Sequence, residues 1–369
     1  MKKKYPVNFK LIIAALCLTV FAASCKKDNN NPNPTPAAPT NFATIGLYEY
    51  SSGNNRRVYV NLTKIGTNVG SYPSVFDTGS TGMTMDATGL IPASMITSAG
   101  ITVPGDSVVV NGITIMPQTS IISYGGVGGE TQEYGNLAYT TVTIGDSNGS
   151  VTTGRIPIFL YYKAVDVTTN TNLKAHANDV FGVASGTSFT NSKIASPLSY
   201  FSLAANVSSG FKLAMFNSTQ FSTTALTYVA GLVTIGLTPN DLNSSGFVMH
   251  PLTFYTQGGY SPDIAGTIVY NGKTIPATML FDTGTPATTI VEDATATSNV
   301  ATLPVNSTVS FTTPQGFTYQ YTTTANYNLT QVQKVSYSQD IRTIFSIDFF
   351  ISNEYLMDYT HHQIGLKNN

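Results

Sequence analysis

The chain has 369 residues, enough for two lobes with cores of their own rather than one small core. Only 10% of it is Asp, Glu, Lys or Arg, against about 25% in an ordinary soluble protein, and Ser, Thr, Asn, Gly and Tyr take their place. Six of the 18 basic residues lie before position 30 against one acid, leaving 12 basic and 18 acidic residues beyond it, a balance that argues against nucleic acid as a partner.

The chain opens with a basic stretch, Met1 to Lys10, followed by an apolar run of 13 residues, Leu11 to Ala23. A spanning helix needs about 20 apolar residues, so the pattern reads as a secretory signal. It ends in Ala22-Ala23-Ser24-Cys25, which resembles a bacterial lipobox. That resemblance implies a signal peptide over 1–24, cleavage before Cys25 and a diacylglycerol anchor on its thiol. Residues 25–41 then form a lipidated Cys and a Pro/Asn-rich tether, expected to stay extended and solvated. Lys26 does not resemble the Asp signal for inner-membrane retention. Cys25-Lys26-Lys27-Asp28 resembles the surface-export tag of Bacteroidetes lipoproteins, so an extracytoplasmic protein anchored in the outer membrane is expected, its outward or periplasmic orientation left open.

Cys17 and Cys25 are the two cysteines, so the folded part is expected to hold no disulfide and no thiolate metal site. None of the four histidines is spaced from another like a helical zinc pair, and His361-His362 reads as a solvated turn.

From Asn41 onward the texture is that of short strands. Arg57-Val58-Tyr59-Val60-Asn61-Leu62 alternates with period two, as do Thr44–Tyr48, Ile113–Met116 and Thr140–Ile144, with Gly, Asn and Ser between the runs. Ser196–Ala205 is the one stretch that reads as a helix, with Pro197 in its first turn. The expected class is mainly β in two lobes, 42–219 and 220–369, joined near the polar stretch Ser218–Thr224.

One motif occurs twice. Val75-Phe76-Asp77-Thr78-Gly79-Ser80 returns as Leu280-Phe281-Asp282-Thr283-Gly284-Thr285. Two copies of one loop facing each other would bring two carboxyls together. Like charges about 3 Å apart cannot both ionise, so such a pair holds a base and an acid at once, as water activation requires. Between the copies, Ile121 to Gly129 has four glycines in its last five residues, the mark of a pliant hairpin led by Tyr124. Val180-Phe181-Gly182 follows it.

In this order and spacing, these motifs resemble those of the pepsin-family aspartic endopeptidases, over roughly residues 42–369. The two Asp-Thr-Gly loops, the flap (Ser123-Tyr124-Gly125), Val180-Phe181-Gly182 and the terminal runs Ile344–Phe350 and Asp358–Leu366 carry the likeness. The resemblance implies an all-β bilobal fold with a central cleft. It implies Asp77 and Asp282 as the catalytic pair, with Thr78, Gly79, Ser80, Thr283, Gly284 and Thr285 supporting the two loops. Tyr124, Gly125 and Gly126 would form a flap over substrate. A monomer acting on peptide or protein is implied, with no metal or organic cofactor.

The sequence also departs from that family. Ser346 replaces the usual Gly after Ile344-Phe345, where its Cβ is expected to crowd the Asp282 loop. Pro286 stands where relatives keep a Ser, and Gly126 where they keep Ser or Thr. The chain has no Trp to brace the flap Tyr, and Met83 and Met85 lie nearby instead. No typical pro-segment fits between Cys25 and Asn41. Two further readings therefore stand beside the peptidase: a pepsin-like surface protein that binds peptides or other extended polymers without cleaving them, and a structural surface protein.

Overall fold

Alternation of side chains along extended backbone decides which residues go inside. In the strand Asn55–Ile65, Val58, Val60 and Leu62 are fully buried while Arg57 and Tyr59 are half exposed. The same logic builds most of this computed structural model, which describes residues 40–126, 129–188 and 191–369. The expected signal peptide, Cys25 and all but the last two residues of the tether lie outside the described residues. Among the described residues no helix is long and apolar enough to cross a membrane.

Two sheets carry the architecture. The first gathers the strands from Ala43 to Leu237, apart from the small separate pair Ile96–Thr97 and Gly100–Ile101, and is joined by Val248–Pro251, Asn353–Asp358 and Gln363–Asn368. Ser208–Leu213 is the seam, pairing on one side with Thr227–Leu237 and on the other with Asn353–Asp358. The second sheet has eight strands between Ile264 and Phe345. The stretch Ser218–Thr224 thus lies between two strands of the first sheet.

The same device recurs in each sheet. The strand Asn68–Asp77 carries the first loop at its end, and Val180–Val183 runs parallel to it in register Val75↔Val180, Phe76↔Phe181, Asp77↔Gly182. Val180–Val183 is also antiparallel to Thr81–Asp86, so it fills the space between the two arms of the Asp77 loop. In the second sheet Arg342–Phe345 runs parallel to Lys273–Phe281, ending on Phe281↔Phe345. Each parallel pair is backed by stacked rings in the core. Phe76 and Phe181 lie 6.3 Å apart, Phe281 and Phe345 5.2 Å apart, and all four are buried. Burying such a ring is worth about 1.5–3 kcal/mol, so the end of each loop-bearing strand is anchored by apolar packing before any polar contact is made.

The helix expected over Ser196–Ala205 is a single 3-10 turn, Pro197–Tyr200. Ser196 caps it by accepting a hydrogen bond from the Leu198 N–H at 3.2 Å. Beyond Tyr200 the backbone turns extended, and Ser202, Ala204 and Ala205 are exposed. A helix continued there would bury no apolar stripe, and short helices do not persist without one.

Glu49 is the least accommodated group of the first sheet. It is fully buried, and neither carboxyl oxygen has a hydrogen-bond partner. Burial pushes its pKa from 4.5 up to about 7. A raised acid makes the folded state hold a proton the unfolded state has lost, so stability falls as pH rises from about 4.5 to 7. Glu49→Gln is expected to raise the thermal midpoint relative to the parent at pH 8, with the gain vanishing at pH 4. Melting curves at the two pH values check this.

Candidate active site

The two Asp-Thr-Gly loops meet at the ends of the Phe-backed strands, and they hold each other reciprocally. The Thr78 N–H donates to Thr283 Oγ1 at 3.1 Å, and the Thr283 N–H donates to Thr78 Oγ1 at 3.0 Å. Each hydroxyl then donates onward to a carbonyl of the opposite strand: Thr78 to Phe281 at 2.7 Å and Thr283 to Phe76 at 2.6 Å. Both threonines are wholly inaccessible to solvent. A small hydroxyl that both accepts and donates is what this exchange needs, and a buried group left without its partner would cost about 1–3 kcal/mol.

This closure brings the carboxyls together. Asp77 and Asp282 are hydrogen-bond partners. The glycines allow it by leaving space for the opposite loop. A Cβ on Gly79 would fall 2.4 Å from Cγ of Asp282, and one on Gly284 would fall 2.8 Å from Cγ of Asp77. No other residue type fits at either place without moving a carboxyl. The same glycines hold the carboxyls from behind, the Gly79 N–H donating to Asp77 Oδ1 and the Gly284 N–H to Asp282 Oδ1, each at 2.7 Å. On the outer oxygens the hydroxyls of Ser80 and Thr285 donate to Oδ2 of Asp77 and of Asp282 at 2.5 and 2.6 Å. The two halves are near copies in their polar contacts.

Asp77 holds its proton well above the ordinary carboxylate range. Burial is the largest cause, followed by the Asp282 charge and the hydrogen bond to Asp282, with Ser80 and Gly79 pulling the other way. Like charges this close disfavour each other, so the arrangement is one that favours keeping a proton between the two carboxyls.

The expected flap lies in the hairpin of Ile113–Gly126 and Gly129–Thr140, in register Tyr124↔Thr131 and Gly126↔Gly129. Gly125 has φ +85°, and a Cβ there would fall 2.1 Å from the Gly129 carbonyl oxygen, so glycine is required. Tyr124 is half-buried, and the Asp77 charge acts on its phenol. Gly125 and Gly126 are exposed beside it.

One expectation about departures from the family needs correction. Ser346 does not crowd the Asp282 loop. Its N–H donates to Thr289 Oγ1 at 3.3 Å, and its own hydroxyl donates to the Ala287 carbonyl at 3.3 Å. The space exists because Arg342–Phe345 meets Thr288–Glu292 at a single pair, Ile290↔Ile344, where the equivalent strands of the first sheet make four. At Gly182, inside that tighter ladder, a Cβ would fall 2.7 Å from the Gly82 carbonyl oxygen. Met83 and Met85 are fully buried in the main core, and Thr84, on the opposite face of their strand, reaches Tyr124.

Sequence reasoning also missed a buried ion pair. Arg56 Nη1 lies 2.8 Å from Asp348 Oδ1, both side chains at least 95% buried, and the Arg56 N–H donates to the Pro286 carbonyl at 2.8 Å. Arg56 therefore fastens the first sheet to the segment just after the second loop. No signal in the chain points to this pair, because the partners are 292 positions apart. Pro286, noted for a missing hydroxyl, contributes the carbonyl.

No protein-family model matches the sequence, and no curated protein matches it. The structure does match solved ones. An aspartic proteinase from Irpex lacteus superposes with a TM-score of 0.54 at 16% identity, over 89% of this chain and 98% of that one. A basic 7S globulin from soybean superposes with a TM-score of 0.53 at 13% identity, over 89% of this chain and 96% of that one. The chain has the mainly β, bilobal pepsin-like aspartic proteinase fold. One of these structures is named as a proteinase and the other as a globulin, so the fold leaves the chemistry to the site.

Two substitutions check the geometry. Thr283→Val removes a donor and an acceptor from the reciprocal exchange and is expected to cost about 2–4 kcal/mol in urea unfolding. Ser346→Gly is expected to cost about 1 kcal/mol, from lost hydrogen bonding and a freer unfolded chain. Relief of crowding would appear instead as a gain in stability.

Proposed function

We propose that this chain is an aspartic-type endopeptidase, held on the outside of a bacterial membrane by a lipid on Cys25. One observation carries the chemistry: two carboxyls in mutual hydrogen bonding, each fixed by a backbone N–H and a hydroxyl, with glycines clearing the space between them. Each half alone is an ordinary turn. Together they hold a base and an acid at one point.

The reaction follows from the shared proton. A water placed between Asp77 and Asp282 gives a proton to the ionised carboxylate as its oxygen attacks the scissile carbonyl carbon. The neutral carboxyl gives its proton to the carbonyl oxygen, and a tetrahedral gem-diol results. Collapse of that intermediate breaks the C–N bond, one proton going to the leaving nitrogen, and the pair returns to its singly protonated state. Every proton is supplied by the pair and the water. Tyr124 would close over the peptide while Gly125 and Gly126 offer main-chain N–H groups, excluding water and orienting the bond.

The pH dependence has a definite sign. The raised Asp77 proton must be present for the acid role, so cleavage is expected in acid and lost as pH rises through the upper pKa of the pair. Asp77→Asn and Asp282→Asn are each expected to lower peptide cleavage by roughly 10²–10⁴-fold, read by mass spectrometry of a peptide mixture at acid pH. Parent-like cleavage by both variants would remove the mechanism. A second reading, a pepsin-like surface protein that binds peptides or other extended polymers without cleaving them, is favoured by the hydroxyl-free Pro286 beside the second loop. It predicts peptide binding by parent and variants alike with no cleavage by any. For the anchor, Cys25→Ala is expected to move the protein from the membrane fraction to the soluble fraction.

A further inference from the structure

Behind the flap lies a buried carboxyl that the proposed reaction does not use. Glu133 stands on the returning strand of the flap hairpin, opposite Ile122, two positions from the residue that faces Tyr124. It is fully buried. Its Oε1 accepts hydrogen bonds from Asn178 Nδ2 at 2.8 Å and from Thr84 Oγ1 at 3.3 Å, while its Oε2 is buried with no partner. The Thr84 hydroxyl is also the side-chain partner of the Tyr124 phenol, and the charge of Glu133 acts on that phenol directly. Thr84 lies at 2% exposure, between the carboxyl and the phenol. One hydroxyl thus connects the base of the flap to the aromatic ring at its working end.

We propose that Glu133 is a positioning residue for the flap: protonated, it seats Thr84 and through it Tyr124, and on ionising it releases both. The proposal rests on the reading of Tyr124 as a flap residue over the Asp77–Asp282 pair. The surroundings explain why ionisation opens the hairpin. The titratable groups facing Glu133 are Asp86 from the strand Thr81–Asp86, Tyr124 from the flap, Tyr161 from Ile156–Asp166, and Asp179 from the segment entering Val180–Val183. Both aspartates disfavour a second negative charge. His176 is bound to Asp179 at 2.7 Å and is held charged by it, so its charge is already neutralised. An anion at Glu133 has Asn178 and Thr84 on one oxygen and nothing on the other. Hydrating that oxygen requires the inner strand of the flap to move away from Thr84.

Burial, opposed by Asn178 and Thr84, pushes the carboxyl up to about 8. In an opened flap the group returns to its ordinary 4.5, so the closed form keeps a proton that the open form has lost. Closure therefore weakens progressively from about pH 4.5 to pH 8 and weakens no further above that.

The experiment is hydrogen exchange of the flap amides, residues 121–126 and 129–134, in the full chain at pH 4.5 and pH 8, corrected for intrinsic exchange. The Val180–Val183 strand serves as the internal control. In the parent the opening constant of the flap is expected to rise at least ~10-fold between the two pH values while the control stays flat. Glu133→Gln keeps the shape and cannot ionise, and its flap opening is expected to be the same at both pH values. Thr84→Val removes the connection and is expected to leave the flap open at both. A parent flap that does not respond to pH, a control strand that responds equally, or a Glu133→Gln flap that responds like the parent overturns the proposal. If Glu133→Gln does not fold, the parent and Thr84→Val decide. This readout needs no catalysis. A chain that cleaves no peptide yet shows the Glu133-dependent opening loses the peptidase reading and keeps the flap switch, and the reverse result separates them the other way.

Discussion

Four hydrogen bonds between two threonines and two carbonyls decide what this molecule can do. Thr78 and Thr283 exchange N–H and hydroxyl contacts between the two loops and tie each loop to the backbone of the opposite strand. Without that exchange two acidic loops would repel each other. With it, the carboxyls are held in mutual contact, and the electrostatic cost of that contact is met by keeping one proton. Everything nearby serves the closure. The stacked pairs Phe76–Phe181 and Phe281–Phe345 anchor the strand ends, the glycines leave room, and Arg56 with Asp348 fastens the segments behind.

The two halves are alike in polar contacts and unlike in backbone. The first sheet packs Val180–Val183 tightly between the arms of its loop, so that Gly182 admits no side chain. The second sheet opens the equivalent ladder after one pair, and the freed space receives the Ser346 side chain with partners for its hydroxyl and its N–H. A residue that looked damaging by analogy is accommodated by a change in pairing around it. The carboxyl contacts at Asp282 match those at Asp77 despite this difference.

Much of this was legible in the chain and some was not, for physical reasons. The repeated Asp-Thr-Gly with its apolar lead-in, the glycine-rich hairpin after Tyr124 and the period-two runs are local signals, and local signals survive in a sequence. The expected helix at Ser196–Ala205 shrank to one turn because a local pattern was read without asking what its far end would bury. Counting positions does not tell which face of a strand looks at the flap: Met83 and Met85 face the core, and Thr84, between them, reaches Tyr124. Glu133 and the Arg56–Asp348 pair left no mark at all. A lone Glu in a strand or an Arg far from its Asp becomes informative only when the fold closes around it.

The account stands on the paired carboxyls acting as one proton-sharing unit, and calorimetry of a statine-type peptide tests this most directly, since such a mimic places a hydroxyl where the attacking water would sit. The prediction is tight binding to the parent at acid pH, weakening as pH rises, and at least ~100-fold weaker binding to either single Asp→Asn variant. Binding of equal strength by the parent and both variants, or no binding by the parent at any pH, would contradict it.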